Sequence, residues 1–410
     1  MFMNYTKEIN LALKEFTSGN KKLAYRNLKE IFKKNSDDDQ LRFNLAVIEQ
    51  SLNLNEEAKY NYKYLINKNN NYKAMSNLYL IYLEEANYHE ALTIINKLLV
   101  ITPELKKVHK DKAFALYRLR KYKESINICQ SFLKLSKDVD FLNIQGLNYF
   151  AKNEFDKSKQ IFEKALKIDE NNSSVLNSLG KLYHELRDSQ NAEYYLLKAY
   201  NLKTDSYEII NNLAGFYREE GNYNKSIELY DQALNINPRN PIIINNLAKA
   251  YFDINQFDKA KEYCLKALAL NKHDGNIQKI LSLIYLRKQN YLDGWHYFDG
   301  RLNLSDFVER NNLIDNIRKK IFVGKKLNKK LKLLVLREQG VGDEILYGTI
   351  YKDLLNFCEN VTIECDPRLK KIFCTSFPNY KNSFIEYGKI SLNKNLINNF
   401  DIAIYAGSLA

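Results

Sequence analysis

The sequence predicts a mainly α-helical chain: a solenoid of stacked helical hairpins over about its first three quarters, followed by a short α/β segment. Three observations carry this. Small residues recur at intervals of 33 or 34 at Ala24, Ala58, Ala91, Ser125, Ser158, Ala192, Ser226 and Ala260. That is the period of helix pairs that bury a continuous core only by stacking on their neighbours. The 410 residues include only 14 Gly and 5 Pro, which favours helices on short connections over a strand-rich fold. The glycines are also unevenly placed, six before residue 290 and eight after it, so the architecture is expected to change near there.

Within the periodic part, each small residue falls where a second helix crosses the first. The central units agree around it, reading Leu179-Gly180-x-x-Tyr183, Leu213-Ala214-x-x-Tyr217 and Leu247-Ala248-x-x-Tyr251, each followed by a further small residue at Ala199, Ala233 or Ala267. Small side chains let two backbones approach while Leu and Tyr fill the groove between hairpins. Pro103 and Pro238 stand where a repeat closes and its helix must stop. Tyr195, Tyr230 and Phe162, at helical spacing, are expected in the core, as are Cys129 and Cys264 at equivalent interior positions.

These residues resemble the tetratricopeptide repeat. Nine units are expected to begin near residues 5, 39, 72, 106, 139, 173, 207, 241 and 275. The resemblance is closest from 139 to 272; in earlier units large residues such as Leu65 and Leu98 replace the second alanine. It implies a right-handed superhelix whose concave face takes a protein or peptide. On that face an asparagine before the Leu-Gly or Leu-Ala pair can offer a donor and an acceptor to an extended peptide. Asn44, Asn77, Asn212 and Asn246 hold this position, with Asp111 and Ser178 between them and Ile144 and Ile280 breaking the row. A peptide ladder and a merely asparagine-rich chain both account for it.

The formal charge of +13 invites a nucleic-acid partner. The excess is Lys rather than Arg and comes with abundant Asn, Ile and Tyr, the bias of an AT-rich coding sequence, so nucleic acid is set aside. Cys129, Cys264, Cys358, Cys365 and Cys374 include no C-x-x-C pair and the five His are scattered, so neither a disulfide framework nor a metal site is expected. No stretch approaches 18 uninterrupted apolar residues. A reducing, cytoplasmic setting is expected.

Gly294-Trp295-His296-Tyr297-Phe298-Asp299-Gly300-Arg301, with the sole tryptophan, reads as an aromatic end cap to the solenoid. The expected division is therefore a solenoid over 1–304, a basic connector over 305–330, and an α/β segment over 331–410. In the last, Leu331 to Arg337 is a strand-length apolar run, followed by a glycine turn, a helix from about Glu344 to Phe357 and a second strand at Val361 to Cys365. Asp366-Pro367-Arg368 can start another helix, and further strands are expected near Ser383–Glu386 and Asp401–Tyr405. Strand, glycine turn, helix and strand make a βαβ unit, which binds ligands at the carboxyl ends of its strands. There Glu338, Gln339, Gly340 and Gly342 form a candidate acceptor loop, the glycines allowing positive φ and close ligand approach.

The string Arg337-Glu338-Gln339-Gly340-Val341-Gly342-Asp343-Glu344, with Glu364-Cys365-Asp366-Pro367-Arg368-Leu369 and Ser376-Phe377-Pro378, resembles the C-terminal region of bacterial tetratricopeptide proteins fused to a glycosyltransferase domain. That domain is similar to the heptosyltransferases of glycosyltransferase family 9, of the two-lobed, Rossmann-like GT-B fold. The resemblance implies that Asp343 is the general base, taking the acceptor hydroxyl's proton as it attacks the anomeric carbon. Aspartate is equally apt as a helix N-cap, and the two roles are compatible. It also implies a nucleotide-sugar donor for a complete homologue; no cofactor is expected for this chain alone. With only about 80 residues after Leu331, the transferase lobe reads as truncated and inactive as written, which leaves a non-enzymatic tetratricopeptide adaptor as the alternative.

Overall fold

The computed structural model describes residues 2–304, 320–321, 328–338, 340–393 and 395–409. The chain forms two compact units, 1–204 and 205–410. This boundary falls inside the repeat array, whereas the division expected from sequence follows the change of element type.

The first unit holds twelve helices in antiparallel pairs: α1 (Phe2–Thr17), α2 (Lys21–Lys34), α3 (Asp39–Ser51), α4 (Asn55–Asn69), α5 (Tyr72–Glu84), α6 (Tyr88–Ile101), α7 (Lys106–Arg118), α8 (Tyr122–Leu133), α9 (Val139–Ala151), α10 (Phe155–Leu166), α11 (Ser173–Glu185) and α12 (Ser189–Leu202). The second unit continues with α13 (Tyr207–Glu219), α14 (Tyr223–Ile236), α15 (Pro241–Asp253), α16 (Phe257–Leu270), α17 (Gly275–Arg287) and α18 (Tyr291–Phe298). The first helix of each pair starts where the repeat period places it; α1 starts three residues before the expected position.

The periodic residues explain these boundaries. Asp38, Asn71, Asp138, Asn172, Ser206, Asn240 and Asp274 each accept a backbone amide one turn into the following first helix. Each pair then turns on one residue in the left-handed region: Gly19, Asn53, Ala86, Arg120, Asn153, Arg187, Gly221, Asn255 or Gln289. Only two are glycine, so the other seven hold this backbone at some cost.

All eight small marker residues are fully buried. Where the marker is serine its hydroxyl donates to the facing first-helix carbonyl, Ser125 to Ala113 at 2.7 Å, Ser158 to Gly146 at 2.9 Å and Ser226 to Ala214 at 2.8 Å. Serine thus replaces alanine without leaving a buried hydroxyl unpaired. Gly146 is required by packing, because a Cβ there would lie 2.4 Å from the Phe162 ring. Cys129, Cys264, Phe162 and Tyr230 are buried as expected, while Tyr195 is half-buried and stacks on Tyr183 at 5.4 Å. Burial pushes both cysteine thiols up to about 12.

Beyond the repeats lie β1 (Lys332–Leu336), α19 (Val341–Phe357), β2 (Asn360–Cys365), α20 (Pro367–Ser376), β3 (Phe384–Glu386) and β4 (Ile402–Tyr405). The strands are parallel, in the order β3-β2-β1-β4. Leu333, Val335, Ile363 and Ile404 pack on one face with Tyr351, Phe373 and Phe384. Leu334, Leu336, Ala403 and Tyr405 pack on the other with Ile390, Ile397 and the chain leaving α18 at Leu302 and Leu304. α19 begins at Val341, not Glu344, because Gly340 already serves as its N-cap. Among the described residues no helix is long and apolar enough to cross a membrane.

Candidate functional site

The strand order reverses between β1 and β4, so the chains leaving their carboxyl ends part from each other, the place where open parallel sheets receive ligands. Glu338 stands there, 1% exposed. Its Oε1 accepts from Arg301 Nε at 2.5 Å, and its Oε2 accepts from Arg301 Nη2 at 2.9 Å and from the Gly407 amide at 3.0 Å. Arg301 donates further to Asp299 Oδ1 at 2.8 Å and to Ser408 Oγ at 2.8 Å, and Ser408 donates to Asp299 at 2.6 Å. Burial works against the guanidinium, but Glu338 and Asp299 outweigh it and hold the Arg301 pKa above its ordinary value. Gly407 permits this close approach, since a Cβ there would lie 2.9 Å from Glu338 Oε2 and 3.0 Å from the Tyr347 ring.

Asp343 belongs to the first turn of α19. It is half exposed, and its Oδ2 accepts from the Gly340 amide at 3.2 Å, a third-position carboxylate reaching back to the helix start. Its Oδ1 has no partner among the described residues. Gly340 has φ −91 and Gly342 lies in the first turn of α19; neither adopts positive φ. The glycine turn expected from sequence is therefore an N-cap and a helical turn. Gln339 lies outside the described residues.

The remaining charges of the motif bind one another. Arg337 donates to Glu344 and, at 3.0 Å, to Asp366 Oδ2; Glu344 Oε2 accepts from the Asp366 amide at 2.8 Å. Arg368 foremost, with Arg337, holds the Asp366 carboxyl far below the usual range. Glu364 Oε1 accepts the amides of Ile390 and Ser391. A surface pocket of about 310 Å³ lies at the opposite end of the sheet beside Leu355, Cys358 and Tyr380, and includes none of these residues. Among the described residues no group of three or more His, Cys, Asp or Glu is arranged to hold a metal.

In the repeats, neighbouring first helices approach each other within each unit: α3 and α5, α7 and α9, α9 and α11, then α13 and α15, α15 and α17. The second helices stay further apart, so the first helices form each unit's inner layer. Asn44, Asn77, Asn212 and Asn246 lie on it half-buried. Asn44 Oδ1 accepts from Gln40 at 3.0 Å, and Asn77 Nδ2 donates to Tyr62 OH at 3.0 Å. Asn246 Nδ2 donates to Asn211 Oδ1 at 2.9 Å, joining consecutive repeats. Asp111, in the same row, accepts from Tyr79 OH at 3.0 Å, and burial raises its pKa.

A more regular row stands one position earlier, at Asn143, Asn177, Asn211 and Asn245, spaced 34 apart. Sequence reasoning passed over it although its spacing is in plain view. The contact between Asn211 and Asn246 explains why the buried carboxamide oxygens of Asn143 and Asn245 have no donor among the described residues. The residues that would supply one are Ser178, whose hydroxyl donates to Ser174 O at 2.9 Å, and Ile280, which has no donor.

Comparison with known proteins agrees with this architecture. Family models match three stretches: a TPR repeat over 216–255, the N-terminal TPR region of psidin over 73–207, and a tetratricopeptide repeat over 241–274. None of the curated proteins matches the chain. Among solved structures, a tetratricopeptide repeat protein from Parabacteroides merdae is similar with a TM-score of 0.55 at 16% identity, covering 60% of this chain and 99% of that one. PilF of Pseudomonas aeruginosa gives 0.38 at 21% identity over 40% of this chain and 74% of its own, and MamA 0.34 at 25% over 38% and 92%. The Parabacteroides likeness is one of fold. The chain carries tetratricopeptide repeats in a helical solenoid, an architecture that commonly serves as a protein-interaction scaffold.

Proposed function

We propose that this chain is a tetratricopeptide scaffold of a glycosyltransferase lineage, whose inner helical layer holds an extended segment of a protein partner. The observation that carries the first part is the inner layer itself. Its half-buried carboxamides stand one repeat apart on α3 and α5 of the first unit and on α13 and α15 of the second, a spacing that can meet an extended backbone at regular intervals. The test is selection of peptides by the full chain from a random display library, followed by hydrogen exchange with the selected peptide bound. Protection confined to first helices is expected; protection only on second helices would refute the inner-layer reading.

The lineage rests on the residues of the β1–α19 connection and on a parallel sheet whose order reverses beside it. Asp343, at the start of α19 and with one carboxylate oxygen unpartnered among the described residues, is the group that would deprotonate an acceptor hydroxyl. Titration with nucleotide sugars tests it. Saturable binding supports the lineage, and its absence favours the second reading, a tetratricopeptide adaptor without transferase chemistry. One observation favours that second reading: Arg301, Glu338 and Ser408 fill the space between the ends of β1 and β4 with their own ion pair.

A further inference from the structure

We infer that the first unit docks on an anionic phospholipid surface through a stripe of cations on the outer face of α2. The inference goes beyond the partner-binding reading above and does not depend on it.

Charge is not spread evenly over the helices. α2 carries Lys21, Lys22, Arg26, Lys29, Lys33 and Lys34 against Glu30 alone, six cations less one acid, or +5. Every other second helix, from α4 to α18, carries between −1 and +1. A coding bias toward lysine acts along the whole chain, so it does not gather this excess on one helix. Of the first helices α7 comes near, with five cations less one acid, or +4, but Asp138 and Asp140 hold two of its lysines, Lys106 and Lys110.

The cations of α2 are all exposed. Lys22, Arg26, Lys29 and Lys33 follow at intervals of four, three and four, which puts them within about 60° of arc and along about 16 Å of one ridge. The opposite side of the helix, with Ala24, Leu28 and Ile31, joins a core shared with Ala12 of α1 and Leu41 and Leu45 of α3. Glu30 pairs with Lys33 at 2.6 Å, and Lys29 donates to Tyr25 OH at 2.6 Å. Among the described residues Lys22, Arg26 and Lys34 make neither an ion pair nor a hydrogen bond. Aligned charges on one ridge repel one another, and a surface of many anions relieves them together.

The shape of the ridge selects the anion. Tyr25 and Phe32 on one flank and Asn27 on the other are half-buried, and Asn27 donates to Glu15 of α1 at 2.8 Å. A helix held on both flanks cannot enter a nucleic-acid groove, which must admit its whole width. It can lie along a flat surface. Five of its six cations are lysines, which supply charge without the planar fork that grips single phosphates. Because the apolar side of α2 is buried in the repeats, docking is electrostatic, reversible and sensitive to salt.

The experiment is co-sedimentation of the full chain with vesicles of phosphatidylcholine alone, and of phosphatidylcholine with about one third phosphatidylserine. Lys22→Gln/Arg26→Gln/Lys29→Gln thins the stripe, while Lys123→Gln/Lys164→Gln/Lys266→Gln takes the same charge from exposed positions on α8, α10 and α16. Binding only to the serine lipid is expected, weakened by added salt. The stripe variant should lose about a hundredfold in affinity, roughly fivefold per charge, and the control less than about fivefold. All six replaced side chains are exposed, so urea midpoints matching the parent's are expected for both variants. Equal losses in the two variants would reduce the effect to net charge and overturn the inference. Equal binding to both kinds of vesicle, or binding to neither, would overturn it as well. An oligonucleotide bound through the stripe in the absence of vesicle binding would assign these cations to nucleic acid instead.

Discussion

Replacing Arg301 by Met should unfasten the α/β segment from the end of the repeats. Arg301 and Glu338 expose 5% and 0% of their side chains, so the substitution strands a carboxylate where water cannot reach it. The bidentate pair with Arg301 would be lost, while the Gly407 amide would still donate to Oε2. Breaking a buried pair from one side costs about 3–5 kcal/mol, a large share of the stability of a domain. The double variant Arg301→Met/Glu338→Gln removes the stranded charge and should recover most of that loss, since well-packed neutral replacements of buried pairs are often close to neutral. Trp295, the sole tryptophan, is half-buried against Phe298 at 5.2 Å and reports this junction by its fluorescence during urea unfolding. A cost below about 1 kcal/mol, or a double variant no more stable than Arg301→Met, would refute the buried-pair reasoning.

Four further outcomes follow from the repeats. Gly146→Ala should destabilise by about 1–3 kcal/mol because its Cβ would overlap the Phe162 ring, whereas Gly215→Ala, with its nearest atom at 3.4 Å, should be neutral or stabilising; the urea midpoints decide. Ala86→Gly should raise the midpoint by the equivalent of about 0.5–1 kcal/mol, since Ala86 turns at φ 57. Asn211→Ala should cost about 1 kcal/mol while Asn245→Ala costs nothing measurable, because only Asn211 has a donor to lose. Burial raises the Glu49 pKa despite the hydrogen bond from Asn61. Its contribution is therefore present below the unfolded pKa and lost as pH rises through the folded one, so Glu49→Gln should be more stable than the parent near pH 8 but not near about pH 4.

The repeats were legible because each decision in them is local and made many times. A small residue at the crossing, a capping side chain before the first helix and an apolar pair within it recur at one interval, so a single ambiguous unit does not obscure the period. Even Leu65 and Leu98, which depart from the small-residue pattern, stay fully buried. The left-handed turns were not legible. Arg120, Arg187 and Gln289 carry no local sign of positive φ; their conformation is imposed by the packing of two helices whose lengths are fixed elsewhere.

The loop after β1 shows the opposite limit. Glu338, Asp343 and Glu344 lie within seven residues and share a chemistry, yet one is buried against Arg301, one faces outward at a helix start, and one is tied to Arg337. What separates them is the location of a guanidinium, and Arg301 is 37 residues away on an element that sequence reasoning treated as an end cap. Glu338, read from sequence as part of an acceptor loop, is in this structure the counter-ion that seats the α/β segment. If a ligand does enter between β1 and β4, it must either leave that pair intact and use Asp343 alone, or supply a cation for Glu338 and an anion for Arg301 as it displaces them. Only the first route avoids exposing a buried ion pair, and it makes Asp343→Asn the substitution to which ligand binding there should respond, with Glu338 acting on stability instead.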